Sequence, residues 1–225
     1  MSKIVYTAII GEYDNLLPPL SKQDWRFICY TTNKNLTSKD WEIVYLKQEE
    51  DKIRQARKIK IITPFNYDEC IWIDGNIQVV GKLNSFLTLL QNKEMCLMNH
   101  PHRTNLIEEA FAIIKYKKDD ERIIQKQLIS YAKHEYNCCA MSATGIIYRK
   151  NTQQVKDFCN LWYEHVLMFS HRDQMSVDFC AWKENFNLYK FDYIPSQYFM
   201  YHPHAPHIIP KHKHLVSKKV NIRRR

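Results

Sequence analysis

Apolar and polar positions along the chain alternate between two periods. Residues 3–10 (Lys-Ile-Val-Tyr-Thr-Ala-Ile-Ile), 25–30 and 41–46 are short β-type runs rich in branched and aromatic side chains, separated by polar turns. From residue 51 to about 62 the period becomes helical. Ile53, Ala56, Ile59 and Lys60 fall near one stripe with Arg54, Arg57 and Lys58 around it, and Pro64 closes the helix. A strand over 69–73 leads into Asp74-Gly75-Asn76, a helix follows over about 83–91, and a strand over 94–98. Helices are predicted over about 106–116 and 119–135, a strand over 145–149, and a long amphipathic helix over 152–168. A further helix opens at Ser170–Gln174 and runs to about 184, before a last short strand over 188–191. Strands alternating with helices predict an α/β domain with a mostly parallel sheet. One domain is expected over residues 1–195, followed by a His- and Pro-rich and then basic tail over 196–225.

Composition narrows the class. With 225 residues, 45% hydrophobic and 25% charged, the chain can bury a substantial core. No run approaches the ~18 apolar residues of a membrane-spanning helix. Met-Ser-Lys-Ile-Val-Tyr enters a strand without a signal-peptide pattern, so a cytoplasmic protein is expected. Seven cysteines without a Cys-x-x-Cys pair argue against a disulfide framework or a zinc ribbon. Cys29, Cys70 and Cys96 read as small core residues, and the adjacent Cys138 and Cys139 have no evident role.

The net charge of +9 is concentrated at one end: no acid follows Asp192, and seven Lys and Arg lie between Lys211 and Arg225. The basic tail reads either as a solubilising end or as a contact for an anionic membrane surface or charged acceptor. Nucleic acid is not expected as a partner, because the body carries no RNA-binding signature or zinc finger.

Candidate chemistry sits where strands end. Open α/β sheets bind ligands outside the carboxyl ends of their strands, and three polar clusters fall there: the loop after Ile10, Asp74-Gly75-Asn76 after Ile73, and His100–Arg103 after Met98. Asp74 and Asn76 offer hard oxygen ligands suited to Mg²⁺ or Mn²⁺. The same three residues also make an ordinary tight turn. Arg54, Arg57 and Lys58 read as an exposed helix face or as cations for a diphosphate. Ser170-x-x-Asp173 matches a helix-opening capping box; turned inward, Asp173 would be a general base, with Arg172 and Gln174 on substrate oxygens. His202, His204, His207, His212 and His214 read as a polar tail or as a source of a third metal ligand, with His202 the candidate.

Several motifs occur together in order: Tyr6-Thr7-Ala8-Ile9-Ile10-Gly11-x-Tyr13-Asp14-Asn15 followed by Leu-Pro-Pro, Ile71-Trp72-Ile73-Asp74-Gly75-Asn76-Ile77, His100-Pro101-x-Arg103 with Glu108-Glu109-Ala110, and Arg172-Asp173-Gln174-Met175-Ser176. This succession, over roughly residues 4–185, resembles the glycosyltransferase-like family related to plant mucilage and turgor-defect proteins. The resemblance implies a GT-A-like single domain, with a Rossmann-like, mostly parallel central sheet flanked by helices. It implies a nucleotide-sugar donor and a glycan or glycolipid acceptor, with Asp74-Gly75-Asn76 as the counterpart of a metal-binding Asp-x-Asp. Tyr6, Thr7 and Ala8 would cradle the nucleoside. Arg57 and Lys58 would approach the phosphates or sugar, and Arg172-Asp173-Gln174 the reacting sugar. Asn76 in place of a second carboxylate weakens the metal site and leaves a mechanism resting on Arg and Lys open. The alternative function is a non-catalytic module that binds polyanion or membrane through its basic tail.

Overall fold

The computed structural model describes residues 2–62, 64–90, 92–136, 140–192 and 196–204. Strands β1 (Lys3–Ile9), β2 (Arg26–Thr31) and β3 (Glu42–Tyr45) are followed by helix α1 (Lys52–Ile62). Then come β4 (Glu69–Ile73), β5 (Ile77–Val79), α2 (Leu83–Leu89), β6 (Met95–Asn99), α3 (Leu106–Lys115) and α4 (Glu121–Ala132). β7 (Ser142–Lys150), α5 (Gln153–Met168), α6 (Gln174–Lys183), β8 (Tyr189–Phe191) and β9 (Phe199–Tyr201) complete the described chain.

Seven strands form one sheet in the order β3-β2-β1-β4-β7-β6-β8. All neighbours are parallel except that β7 runs antiparallel to both β4 and β6. The mostly parallel α/β sheet expected from the sequence is therefore present. β7 brings its first residues, Ser142 and Thr144, to the edge where the parallel strands end. There the backbone N–H of Asp74 donates to the Gly145 carbonyl at 2.8 Å.

Alternation along the strands fills two cores. Ile4, Tyr6, Cys70, Trp72 and Ile147 meet Ile59 and Ile61 of α1, Ile113 of α3, Ile124 of α4, Phe158 and Trp162 of α5, and Phe179 of α6. On the other face Val5, Ile71, Ile73 and Ile146 meet Phe86 of α2 and Phe199 of β9. Cys29, Cys70 and Cys96 are buried free thiols, as their apolar surroundings in the sequence suggest.

The helices start where side chains take up their unpaired N–H groups. Asp51, Asn105, Asp120 and Thr152 accept from the backbone of Arg54, Glu108, Arg122 and Val155. At the other end of α1, the buried Arg149 donates to the carbonyls of Lys60 and Ile61 and to the Tyr6 hydroxyl, which itself donates to the Lys60 carbonyl at 2.6 Å. The last turn of α1, which carries Lys60, is thereby fixed.

A second, two-stranded sheet pairs β5 with β9 antiparallel, Ile77 opposite Tyr201. It docks because Gly81 lets the chain pass closely: a Cβ there would lie 1.9 Å from the Gln197 carbonyl oxygen. The fold thus continues past residue 195, and β9 carries Tyr201 to His204 up to the Asp74 turn.

Candidate active site at the carboxyl edge of the sheet

Helices α1 and α3, the turn that opens α6, the turn after β4 and the start of β7 deliver polar and charged side chains to one edge of the sheet. Lys60, only 1% exposed, lies with its ammonium 2.7 Å from Asp173 Oδ2, 3.4 Å from Asp74 Oδ1 and 3.1 Å from Thr144 Oγ1. The Trp72 ring lies 5.5 Å from the ammonium, and its indole N–H donates to Asp74 Oδ1 at 2.8 Å. Arg57 Nε is 3.4 Å from Asp173 Oδ1 and donates to the His171 carbonyl. Asp173 is buried; burial alone would raise its pKa, but Arg57, Lys60 and Arg172 outweigh it and hold the carboxyl well below the usual range.

Arg172 belongs to the same cluster. Burial and Arg57 lower its pKa, while Asp173, Glu109 and Asp74 oppose them. Its buried Nε has no hydrogen-bond partner among the described residues. Glu109 of α3 lies buried, 2.7 Å from Arg103; burial raises its pKa against the pull of Arg103 and Arg172. His100 Nδ1 accepts from the backbone of His102 and Arg103, and burial, then Arg103, lower its pKa to about 4. Four cations thus meet three carboxylates, leaving a net positive charge beside a buried N–H donor without a partner.

Beyond the turn lies a cavity of about 290 Å³ lined by Asp14, Asn15, Leu17, Asn76, His202, Pro203 and His204. The Asp14 carboxylate lies 3.1 and 3.2 Å from His204 Nδ1. A Cβ on Gly75 would meet Asp14 at 3.2 Å, so the glycine seats the turn against the loop after β1. Gly145 does the same from β7: a Cβ there would meet the Tyr201 hydroxyl at 3.0 Å and Asp74 Oδ2 at 3.5 Å.

The geometry corrects several expectations. Asp173 stands at the N-cap position of α6 but makes no side-chain cap; Ser170 turns instead to Asp119 at 2.6 Å. A carboxylate sealed between cations and held far below its usual pKa is ill-matched to removing a hydroxyl proton near neutrality. Asp173 organises Lys60 and Arg57. Tyr6 does not cradle a ligand, since its ring is in the core. Thr7 is buried on the opposite strand face and Ala8 packs at the core margin. Lys58 is exposed. It stands about 200° around α1 from Lys60, by the helical repeat. Arg54 ties α1 to α5 by donating to the Val166 and Phe169 carbonyls. Arg57, Asp74, Arg103 and Arg172 do meet, as the sequence suggests. Gln174, also expected in the site, contacts Arg172 and the Ser142 carbonyl at 3.5 Å. His207, His212, His214, Cys138, Cys139 and the basic tail lie outside the described residues.

The expected metal ligands Asp74, Asn76 and His202 do not fit a divalent ion. Asn76 donates its amide N–H to the His202 carbonyl, which orients the side chain but leaves its Oδ1 uncommitted among the described residues, whereas His202 Nε2 sits 3.0 Å from Gln78 Oε1. Among the described residues no three His, Cys, Asp or Glu side chains converge on a metal position. Asp74 Oδ1 already faces an ammonium.

Sequence reasoning missed Lys60 as a site residue, along with Glu109, Thr144 and Asp14. One carried a readable signal: Glu109 shares the stripe of Leu106, Ala110 and Ile113, whereas the apolar positions spaced with Lys60 on α1 include the exposed Ile53. A charge on an apolar stripe is buried, and a buried charge needs partners.

This sheet, with one antiparallel strand among parallel ones and a carboxylate turn beneath a cationic cluster at its edge, is the GT-A-like arrangement of a glycosyltransferase-like domain. Residues 40–202 match the TOD1/MUCI70, glycosyltransferase-like domain family, and the chain belongs to it. Among solved structures it is similar to the bifunctional glycosyltransferase WbbM in its apo structure, with a TM-score of 0.50 and 13% identity. That likeness, which concerns the fold, covers 84% of this chain and 38% of the other. No curated protein matches the chain. Among the described residues no helix is long and apolar enough to cross a membrane.

Proposed function

We propose that the domain transfers a sugar from a nucleoside-diphosphate sugar to a hydroxyl of a glycan or glycolipid. The observation that carries this reading is Arg172, whose buried Nε lacks a partner in a cluster where cations outnumber carboxylates. A departing diphosphate supplies the acceptor oxygens that this donor lacks. Arg gives bidentate contacts to phosphate oxygens, and Arg57 and Arg103 add charge beside it. As the anomeric carbon–oxygen bond breaks, negative charge grows on the diphosphate, and fixed cations in a partly dry site stabilise it.

The acceptor reads naturally into the 290 Å³ cavity. Its Asp14 carboxylate, Asn15 and Asn76 amides and His204 ring supply donors and acceptors for sugar hydroxyls. The donor sugar would then lie between cavity and cluster, over Asp74-Gly75-Asn76.

A thermal-shift panel of nucleoside diphosphates, paired with donor hydrolysis across nucleotide sugars, tests the reading. At least one nucleotide should stabilise the protein, since a ligand selective for the native state raises stability by RT ln(1 + [L]/Kd). Arg172→Met should weaken that nucleotide about tenfold or more, the worth of a charged hydrogen bond, while keeping the fold. No stabilisation by any nucleotide, together with salt-sensitive retention on polyanion, would replace the transferase by a binding module.

A further inference from the structure

GT-A-type transfer, as the family resemblance implies it, places a divalent ion on the carboxylate turn after the fourth strand. Here a lysine ammonium lies against the first residue of that turn. The Lys60 ammonium touches Asp74 Oδ1 (3.4 Å), Asp173 Oδ2 (2.7 Å) and Thr144 Oγ1 (3.1 Å), three oxygens of the kind a hard cation takes. It does not arrive there loosely: its carbonyl is held by the Tyr6 hydroxyl and the Arg149 guanidinium, and its ammonium faces the Trp72 ring.

We propose that Lys60 is a tethered counter-ion standing where a divalent ion would sit, and that the chain binds its nucleoside diphosphate without metal. The inference rests on the nucleotide-sugar reading above and adds the cofactor requirement to it. Lys60 is too buried to touch the donor, so it is a positioning residue. By offsetting one of the two charges on Asp74 and Asp173 it leaves the cluster one positive charge in excess, which Arg57 and Arg172 can direct at phosphate. Without it, three arginines would face three carboxylates and the cluster would be neutral.

Removing the ammonium should recreate a cation site. Lys60→Ala leaves two carboxylates and a hydroxyl around a vacated space. The experiment is a thermal-shift titration of the full chain with UDP, GDP, ADP and CDP, each in EDTA and in excess Mn²⁺. For the unmodified protein, the nucleotide that binds should give the same apparent Kd in both conditions, and Mn²⁺ alone should give no shift. For Lys60→Ala, Mn²⁺ alone should raise Tm, and nucleotide affinity in EDTA should fall about tenfold or more and return with Mn²⁺. A merely structural lysine would not exchange its role for a metal ion.

Should the alanine variant fail to fold, the unmodified protein decides: binding that survives EDTA unchanged supports the inference, and binding that vanishes in EDTA and returns with Mn²⁺ overturns it. That second result leaves the transferase reading standing. Silence of all four nucleotides in both conditions removes both.

Discussion

The two halves of the candidate site are built differently. The cluster of Arg57, Lys60, Arg172 and Asp173 is assembled from helices that pack on the main core, with Lys60 and Asp173 almost wholly buried. The cavity of Asp14, Asn76, His202 and His204 hangs on a two-stranded ribbon and the loop after β1, and the His204 side chain is 45% exposed. The first half is fixed before a ligand arrives, which suits the diphosphate of the proposed nucleoside-diphosphate sugar. The second is open and hydrogen-bonding, which suits discrimination among hydroxyl acceptors. Charge stabilisation needs a dry, rigid setting; selection among polyols needs adjustable polar contacts.

The largest effect should come from breaking the buried half. Asp173→Asn leaves Lys60 and Arg57 without their shared carboxylate, a loss of about 3–5 kcal/mol for a broken buried pair. Urea unfolding should show that loss, and nucleotide-induced stabilisation should disappear with it. Gly81→Ala attacks the other half from a distance. Its methyl would collide with the Gln197 carbonyl and push β9 away from β5. A stability loss of about 1–3 kcal/mol is expected for such overpacking, with nucleotide binding retained and acceptor turnover lost.

Acid should act mainly through neutral histidines. Burial lowers both His100 and His165 to about 4, whereas the unfolded chain protonates near its ordinary value. The unfolded state therefore takes up protons first. The stability these groups contribute is complete above about pH 6.5 and is lost as the pH falls towards 4. Tm recorded between pH 7 and 4 should fall across that window, and His165→Gln should flatten part of the slope. Asp173, with its depressed pKa, should keep its contribution until still lower pH. The smallest effect is expected for His204→Ala. Exposed at the cavity wall, it should cost less than about 0.5 kcal/mol of stability. It should raise the acceptor KM while leaving nucleotide affinity unchanged, sharpening the division between the halves.

Much of this was legible in the chain. The strand over 69–73, its arrest at Asp74-Gly75-Asn76 and the helix over 51–62 appear nearly residue for residue as β4, the turn and α1. A continuous apolar run marked β4, which is buried on both faces, and helical periodicity marked α1, which buries one. The strand β9 was not foreseen: Phe199-Met200-Tyr201 is three residues long and is a strand only because β5 lies beside it. β7 was expected from residue 145, but it starts at Ser142 and runs antiparallel, a direction that no local pattern encodes. Lys58 and Lys60 illustrate the same limit. Both are lysines on one helix, and only the packing of α1 decides which one is buried.

The sequence by itself determined the succession of elements, the class of fold and the positions where polar groups interrupt the apolar runs, because those depend on side-chain spacing along a local backbone. The tertiary structure decided the pairings: Lys60 and Arg57 with Asp173, and Asp14 with His204, groups more than a hundred residues apart. It also turned Asp173 from the cap its local spacing suggests into the buried partner of two cations. A capping bond is a local choice worth about 1 kcal/mol. An uncompensated buried lysine costs more than that, so the long-range partner won.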